Sequence, residues 1–367
     1  MEHQFTKEIK DILAKHFGNA AEEVFERNPL LQYLNIKTRS ASRGSKARGS
    51  FANIYAVFVL VEHYLQNSFD KKGDYANSEG AKFSELFERQ RELPFGSKLQ
   101  NHALNHRLNE EFRKYFPRIT HIPVLRNVET NRYWFNENLL KTMVSGKSYN
   151  LAKAVLAIVH KYISAKQNAF EAFIQACNRL KRIGKENETE AKDLIVSLLA
   201  PHVDARLFEI ISYAILKFYY HDQKVYFGFD LESIRKEGLK LYKTGRTNAN
   251  DGGIDFVMKP LGRFFQVTET LDVKKYFLDI DKIERYPISF VIKSEESLSV
   301  LREKIKQGAE KQYLVKPIVK RYMDCIEEVI NIPVLKARFN EALRDGYLRQ
   351  ILDEIIVQSK IEFNYQE

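Results

Sequence analysis

Cysteine is scarce in this 367-residue chain, which has only Cys177 and Cys325. They stand far apart in helix-like surroundings. That excludes a disulfide framework and leaves no zinc-ligand spacing. Such usage fits a reducing cytosol, so a cytoplasmic location is expected. Long hydrophobic runs are missing too. The most apolar stretch, Tyr55 to Val61, is far short of the about 20 residues a membrane span needs. Met1 to Phe17 mixes charged and apolar residues as an amphipathic helix does and has no apolar signal core. No membrane partner is expected. There is no internal repeat, no low-complexity tract and no Gly-x-x-x-x-Gly-Lys-Ser/Thr, so ATP-driven translocation is not expected. His102 and His106 are spaced to share a helix face, but no Glu lies between them in a metalloprotease arrangement and no Cys is near. They read as surface residues.

What is present is a chain that is 44% apolar, enough to build a packed core, and long enough for two domains. Its formal net charge of +10 favours a polyanionic partner. Helical periodicity dominates the first half, with Phe51 to Gln66 apolar enough to be buried and one long helix or two over 150–183. A polar segment, Gly184 to Glu190, separates this half from the next. We therefore expect a mostly helical N-terminal domain, 1–190, and a second domain, 195–367. In the second, Phe208 to Tyr220 reads as a helix. Val225 to Phe229, Ile254 to Met258, Phe264 to Glu269 and Ile288 to Lys293 read as strands. Lys259-Pro260-Leu261-Gly262 makes a turn between the second and third of these. From Glu295 to about Ile330 the chain reads as helical, with more helix to Val357. Helices around strands give an α/β layer.

The chemically informative stretch is Asn250-Asp251-Gly252-Gly253-Ile254-Asp255, followed by Phe264-Phe265-Gln266-Val267-Thr268. The paired glycines allow a tight entry into a strand. Asp255 then sits among apolar residues, where an ionisable group needs a partner or a function. Alternation puts Gln266 and Thr268 on one face of the next strand. An acid on one strand and an oxygen donor on its neighbour can share a hard cation such as Mg²⁺.

These segments resemble the PD-(D/E)XK nuclease superfamily, in particular the branch around Mrr-type restriction enzymes. That branch has a helix beginning Phe-Glu, a Gly-Gly-Ile-Asp strand and a strand bearing Gln-x-Lys. Phe208-Glu209 stands for the first element, and the resemblance spans about 205–310. It implies a mixed sheet flanked by helices, and a Mg²⁺ held by Asp255, Gln266 and Glu209. It also implies hydrolysis of phosphodiester bonds in double-stranded DNA, leaving 5′-phosphate ends. The chain departs from the pattern at Thr268, where the family carries its catalytic Lys. Threonine can orient a water weakly but cannot offset negative charge. Lys274, with Lys275 and Lys259 as alternatives, is a candidate replacement.

DNA contact is expected from the basic stretch 37–50, through Lys37, Arg39, Arg43, Lys46 and Arg48. Arg246, Asn248 and Asn250, just before the Asp255 strand, suit base edges. A compact chain without a motor points to a type II restriction endonuclease. Cutting both strands calls for two sites, so a homodimer is expected. The rival readings are a modification-dependent Mrr-like nuclease, a catalytically inactive DNA-binding protein with a nuclease fold, and a repair or recombination nuclease.

Overall fold

The computed structural model describes residues 2–39, 47–97, 99–182, 188–201, 203–244, 254–269, 271–282 and 285–363. Of these, 47–50, 182, 282 and 363 are described in backbone only. By contacts the chain divides into Met1–Phe173 and Ile174–Glu362. The division falls inside a single long helix; the sequence reading places a boundary near residue 190. Both units mix helices and strands, so the chain is α/β. Among the described residues, no helix is long and apolar enough to cross a membrane.

The first unit opens with α1 (Gln4–Phe17), α2 (Ala21–Arg27) and α3 (Pro29–Thr38). Asn28 starts α3: its side-chain oxygen accepts from the Leu30 and Leu31 N–H groups, and Pro29 brings no donor to leave orphaned. The Asn28 amide also donates to Thr142 Oγ1 at 2.8 Å, which ties the cap to a distant hairpin. Next comes α4 (Ala47–Gln66), buried around its whole circumference from Ile54 to Val61, as expected of a helix apolar on every side. Then follow α5 (Phe69–Lys72), β1 (Ala81–Lys82), α6 (Phe83–Glu92) and α7 (Leu108–Tyr115). β2 (Val124–Asn127) and β3 (Arg132–Phe135) form a sheet of order β1-β3-β2, and β4 (Lys141–Val144) pairs with β5 (Lys147–Asn150). α8 (Ala152–Arg182) is one continuous helix.

The second unit contains α9 (Glu188–Ser197), α10 (Ala205–Tyr219) and a hairpin of β6 (Lys224–Phe227) with β7 (Arg235–Gly238). β8 (Lys240–Lys243), β9 (Phe256–Lys259) and β10 (Arg263–Thr268) follow, then α11 (Val273–Lys282), β11 (Ile288–Ile292), α12 (Leu298–Gln312) and α13 (Lys316–Asp324). β12 (Ile326–Ile330), α14 (Ile332–Arg344) and α15 (Leu348–Phe363) complete it. Among the described residues a five-stranded sheet runs in the order β12-β11-β10-β9-β8. The meander β8, β9, β10 is antiparallel, while β10, β11 and β12 are parallel. β11 is buried at every position, as a central strand covered on both faces should be.

The expected hairpin across Lys259–Gly262 is present, joining β9 to β10. The helical reading of 295–330 is corrected at its end, because Ile326–Ile330 is strand β12. Its β-branched Ile326, Val329 and Ile330 are buried beside β11, and its two central acids pair sideways with Arg263 and Arg338. Two glutamates in the segment masked that alternation.

Candidate functional site

The site is built on the first turns of α10 and the facing ends of β8, β9 and β10. α10 begins at Ala205, earlier than the expected start at Phe208. Asp204 caps it, its side-chain oxygen accepting from the Arg206 N–H at 2.8 Å. This places Glu209 one turn inside the helix, buried, with Phe208 fully buried beside it. Both oxygens of Glu209 are engaged. Lys243, the last residue of β8, lies 2.9 Å from Oε1, and Arg206 lies 2.5 Å from Oε2. Arg206 also faces Glu362 of α15 at 3.7 Å.

Asp255 lies immediately before β9. Its N–H donates to the Phe265 carbonyl and its own carbonyl accepts from the Thr244 N–H, each at 2.9 Å. Its backbone is thus clamped between the ends of β8 and β10. The register pairs Phe265 with Phe256, so one further step brings Asp255 opposite Gln266. The Asp255 carboxylate accepts from the Val267 N–H at 2.7 Å. Burial pushes its pKa up, and nearby Glu209 pushes it further, to about 7. The Val267 N–H, Arg206 and Lys243 pull the other way. Gln266 is buried and its amide oxygen has no hydrogen-bond partner among the described residues, while its Nε2 makes a long contact to the Val267 carbonyl, 3.4 Å.

The structure therefore brings Asp255, Gln266 and Glu209 to one end of the sheet. Thr268 sits on the same strand, but its hydroxyl is hydrogen-bonded to Tyr276 of α11, whose ring stacks on Phe290 at 4.3 Å. Lys274 is exposed on α11. Lys259 lies at the far end of β9, over the Tyr242 ring. Of the basic stretch, Lys37 is no free cation, because it pairs with Glu111 at 2.8 Å. Arg39 is exposed at the end of α3. Arg43, Lys46, Arg246, Asn248 and Asn250 lie outside the described residues, as does the side chain of Arg48.

Two lysines escaped the sequence reading. One is Lys243, which reaches Glu209 and influences Asp255. The other is Lys293, just past β11, whose side chain is only 3% exposed. Its ammonium lies 2.8 Å from Glu269 and donates to the Val203 carbonyl. Lys243 ends β8 and Lys293 follows β11, both distant in sequence from Thr268, so no local spacing marks them. For Lys293 the signal available was a charged residue closing an otherwise apolar strand; β8, Lys240-Leu241-Tyr242-Lys243, gave no such signal for Lys243.

Among the described residues, no three His, Cys, Asp or Glu side chains gather as a metal cluster. The donors on offer are carboxylate and amide oxygens. His102 and His106 are exposed, with rings 5.7 Å apart, on a π-helical turn. A cavity of about 600 Å³ lies elsewhere, lined by Asp281, Arg285, Arg321, Asp324 and Cys325. Its Asp281 is already bonded to Tyr322 and paired with Arg285. No protein-family model matches the chain, and no curated protein or solved structure does either.

Proposed function

We propose that the chain is a site-specific deoxyribonuclease of the type II restriction kind, hydrolysing phosphodiester bonds in double-stranded DNA with Mg²⁺. The observation that carries this reading is the buried Asp255, crowded by Glu209, beside the amide oxygen of Gln266, which has no hydrogen-bond partner among the described residues. Keeping two buried carboxylates in mutual repulsion is unfavourable in a purely structural role. A buried acceptor without a donor is a group that a cation would satisfy. Oxygen donors of this type suit Mg²⁺. Asp255 and Gln266 would hold it, with Glu209 behind them in its ion pairs. Mg²⁺, when bound, supplies Lewis-acid polarisation of the phosphate and a more acidic water. Lys243, steadied by Glu209, supplies the positive charge that the resemblance expects at Thr268 and offsets charge building on the phosphate. The helix with Glu209, the strand entry with Asp255 and the strand with Gln266, in a mixed sheet, support a PD-(D/E)XK-like core. Two copies, as a homodimer, would cut both strands.

One observation favours a second reading, a DNA-binding protein without catalysis. Both oxygens of Glu209 are taken by cations and the Thr268 hydroxyl is turned to Tyr276. Incubation with unmethylated phage DNA in Mg²⁺ separates the two. Discrete bands lost in Asp255→Ala support cleavage. A substrate that is bound but left whole, methylated or not, supports the second reading.

A further inference from the structure

The hairpin of β6 and β7 has two unlike faces. Its register sets Lys224 opposite Gly238, Val225 opposite Glu237, Tyr226 opposite Lys236 and Phe227 opposite Arg235. Directly opposed residues of an antiparallel pair share a face. One face therefore carries Val225, Phe227, Glu237 and Arg235. The first three of these are half-buried, and Glu237 pairs with Arg235 at 2.7 Å. The other carries Lys224, Tyr226, Lys236 and Gly238, all exposed, with Tyr226 at 75%. Among the described residues nothing lies within 4 Å of where a Gly238 Cβ would be, so this face is open as well as exposed.

The open face holds two cations around one aromatic ring, and none of its strand residues is acidic. The hairpin's acids lie elsewhere: Glu237 on the opposite face, Asp230 accepting from Ser233 N within the turn, Glu232 at the tip. Past the strands, Leu231 is 88% exposed, and Phe229, also exposed, has its ring 5.9 Å from that of Phe227 on the other face. Solvent-exposed apolar groups of this size on a projecting turn mark a contact surface. Cations flanking an aromatic, with apolar groups at the end, complement a polyanion with base edges between its phosphates. The dimensions agree, since the major groove of duplex DNA, about 12 Å wide, admits a two-stranded ribbon.

We propose that the β6–β7 ribbon enters the major groove of duplex DNA by this face. Lys224 and Lys236 contact phosphates, Tyr226 lies against base edges, and Leu231 at the turn touches apolar groove atoms such as the thymine methyl. The proposal rests on the reading of duplex DNA as the substrate, but it does not require that the chain cut it.

The test is binding of the full-length chain to a fluorescein-labelled duplex in EDTA, which prevents cleavage, over a range of salt concentrations. Replacing both lysines (Lys224→Ala with Lys236→Ala) is expected to lower the slope of log affinity against log salt by about 2. Tyr226→Ala is expected to weaken binding about five-fold or more. Unchanged melting temperatures would show that the variants fold. Wild-type binding that all three substitutions leave unaltered would overturn the ribbon's role and leave the nuclease reading standing. Failure of the wild type to bind any duplex would overturn both. A change in oligomeric state with DNA affinity intact would make the face a protein-docking surface and overturn the proposal.

Discussion

Asp255 is held by one backbone N–H and opposed by its own burial and by Glu209, so its proton stays on to about pH 7. The unfolded chain releases that proton near the ordinary value, 3.8. The group's contribution to stability is therefore full below about pH 4 and is lost as pH rises through about 7. Asp255→Asn cannot ionise and still offers an oxygen to the Val267 N–H. It is expected to be about 2 kcal/mol more stable than the wild type at about pH 8 and nearly equal at about pH 4, by urea unfolding. Equal stability at both would mean that the carboxylate is not desolvated. Lys243→Met leaves Glu209 with Arg206 alone and should cost about 1–3 kcal/mol, partly recovered when Glu209→Gln is added. No recovery in the double variant would show that the pair is not energetically coupled.

Between elements, α12 packs tightly against the start of α11. A Cβ on Gly308 would lie 2.4 Å from Val273 Cγ2 and 2.9 Å from its Cβ. Val273 is β-branched and cannot swing away freely. Alanine would ordinarily favour a helix interior by about 1 kcal/mol over glycine. Here Gly308→Ala is expected to destabilise by about 1 kcal/mol instead, because overpacking outweighs propensity. Adding Val273→Ala should restore most of that loss in thermal melts, and a stabilised single variant would mean the two helices separate easily. The sheet shows the same dependence on neighbours. The Asp255 backbone is fixed by Phe265 on one side and Thr244 on the other, so the site exists only when β8, β9 and β10 pair in register.

Across the whole molecule, the two thiols report on packing. Cys177 is fully buried and its thiol is pushed up to about 12 by burial, and Cys325, 9% exposed, is raised for the same reason. Neither should react with a disulfide reagent in the native chain at about pH 8, and both should react once it is unfolded. Fast modification of one thiol in the native state would show that its surroundings open readily. The net charge of +10 acts at the same scale: duplex affinity should fall steeply with salt, whatever the sequence bound.

The apolar run of α4, the strand pair around Lys259–Gly262 and the Asp255 and Gln266 segments were legible in the sequence because each signal is local. Periodicity, turn chemistry and an acid among apolar residues all lie within one stretch of chain. The tertiary structure alone decided what those residues meet. Glu209 is in a different element from Lys243, Thr268 gives its hydroxyl to a tyrosine on α11, and Lys37 is consumed by Glu111. β12 is a strand because β11 offers it a buried edge, which its own glutamate-bearing sequence does not announce. Charge pairing and strand pairing act through space between segments far apart along the chain, so only the folded arrangement could fix them.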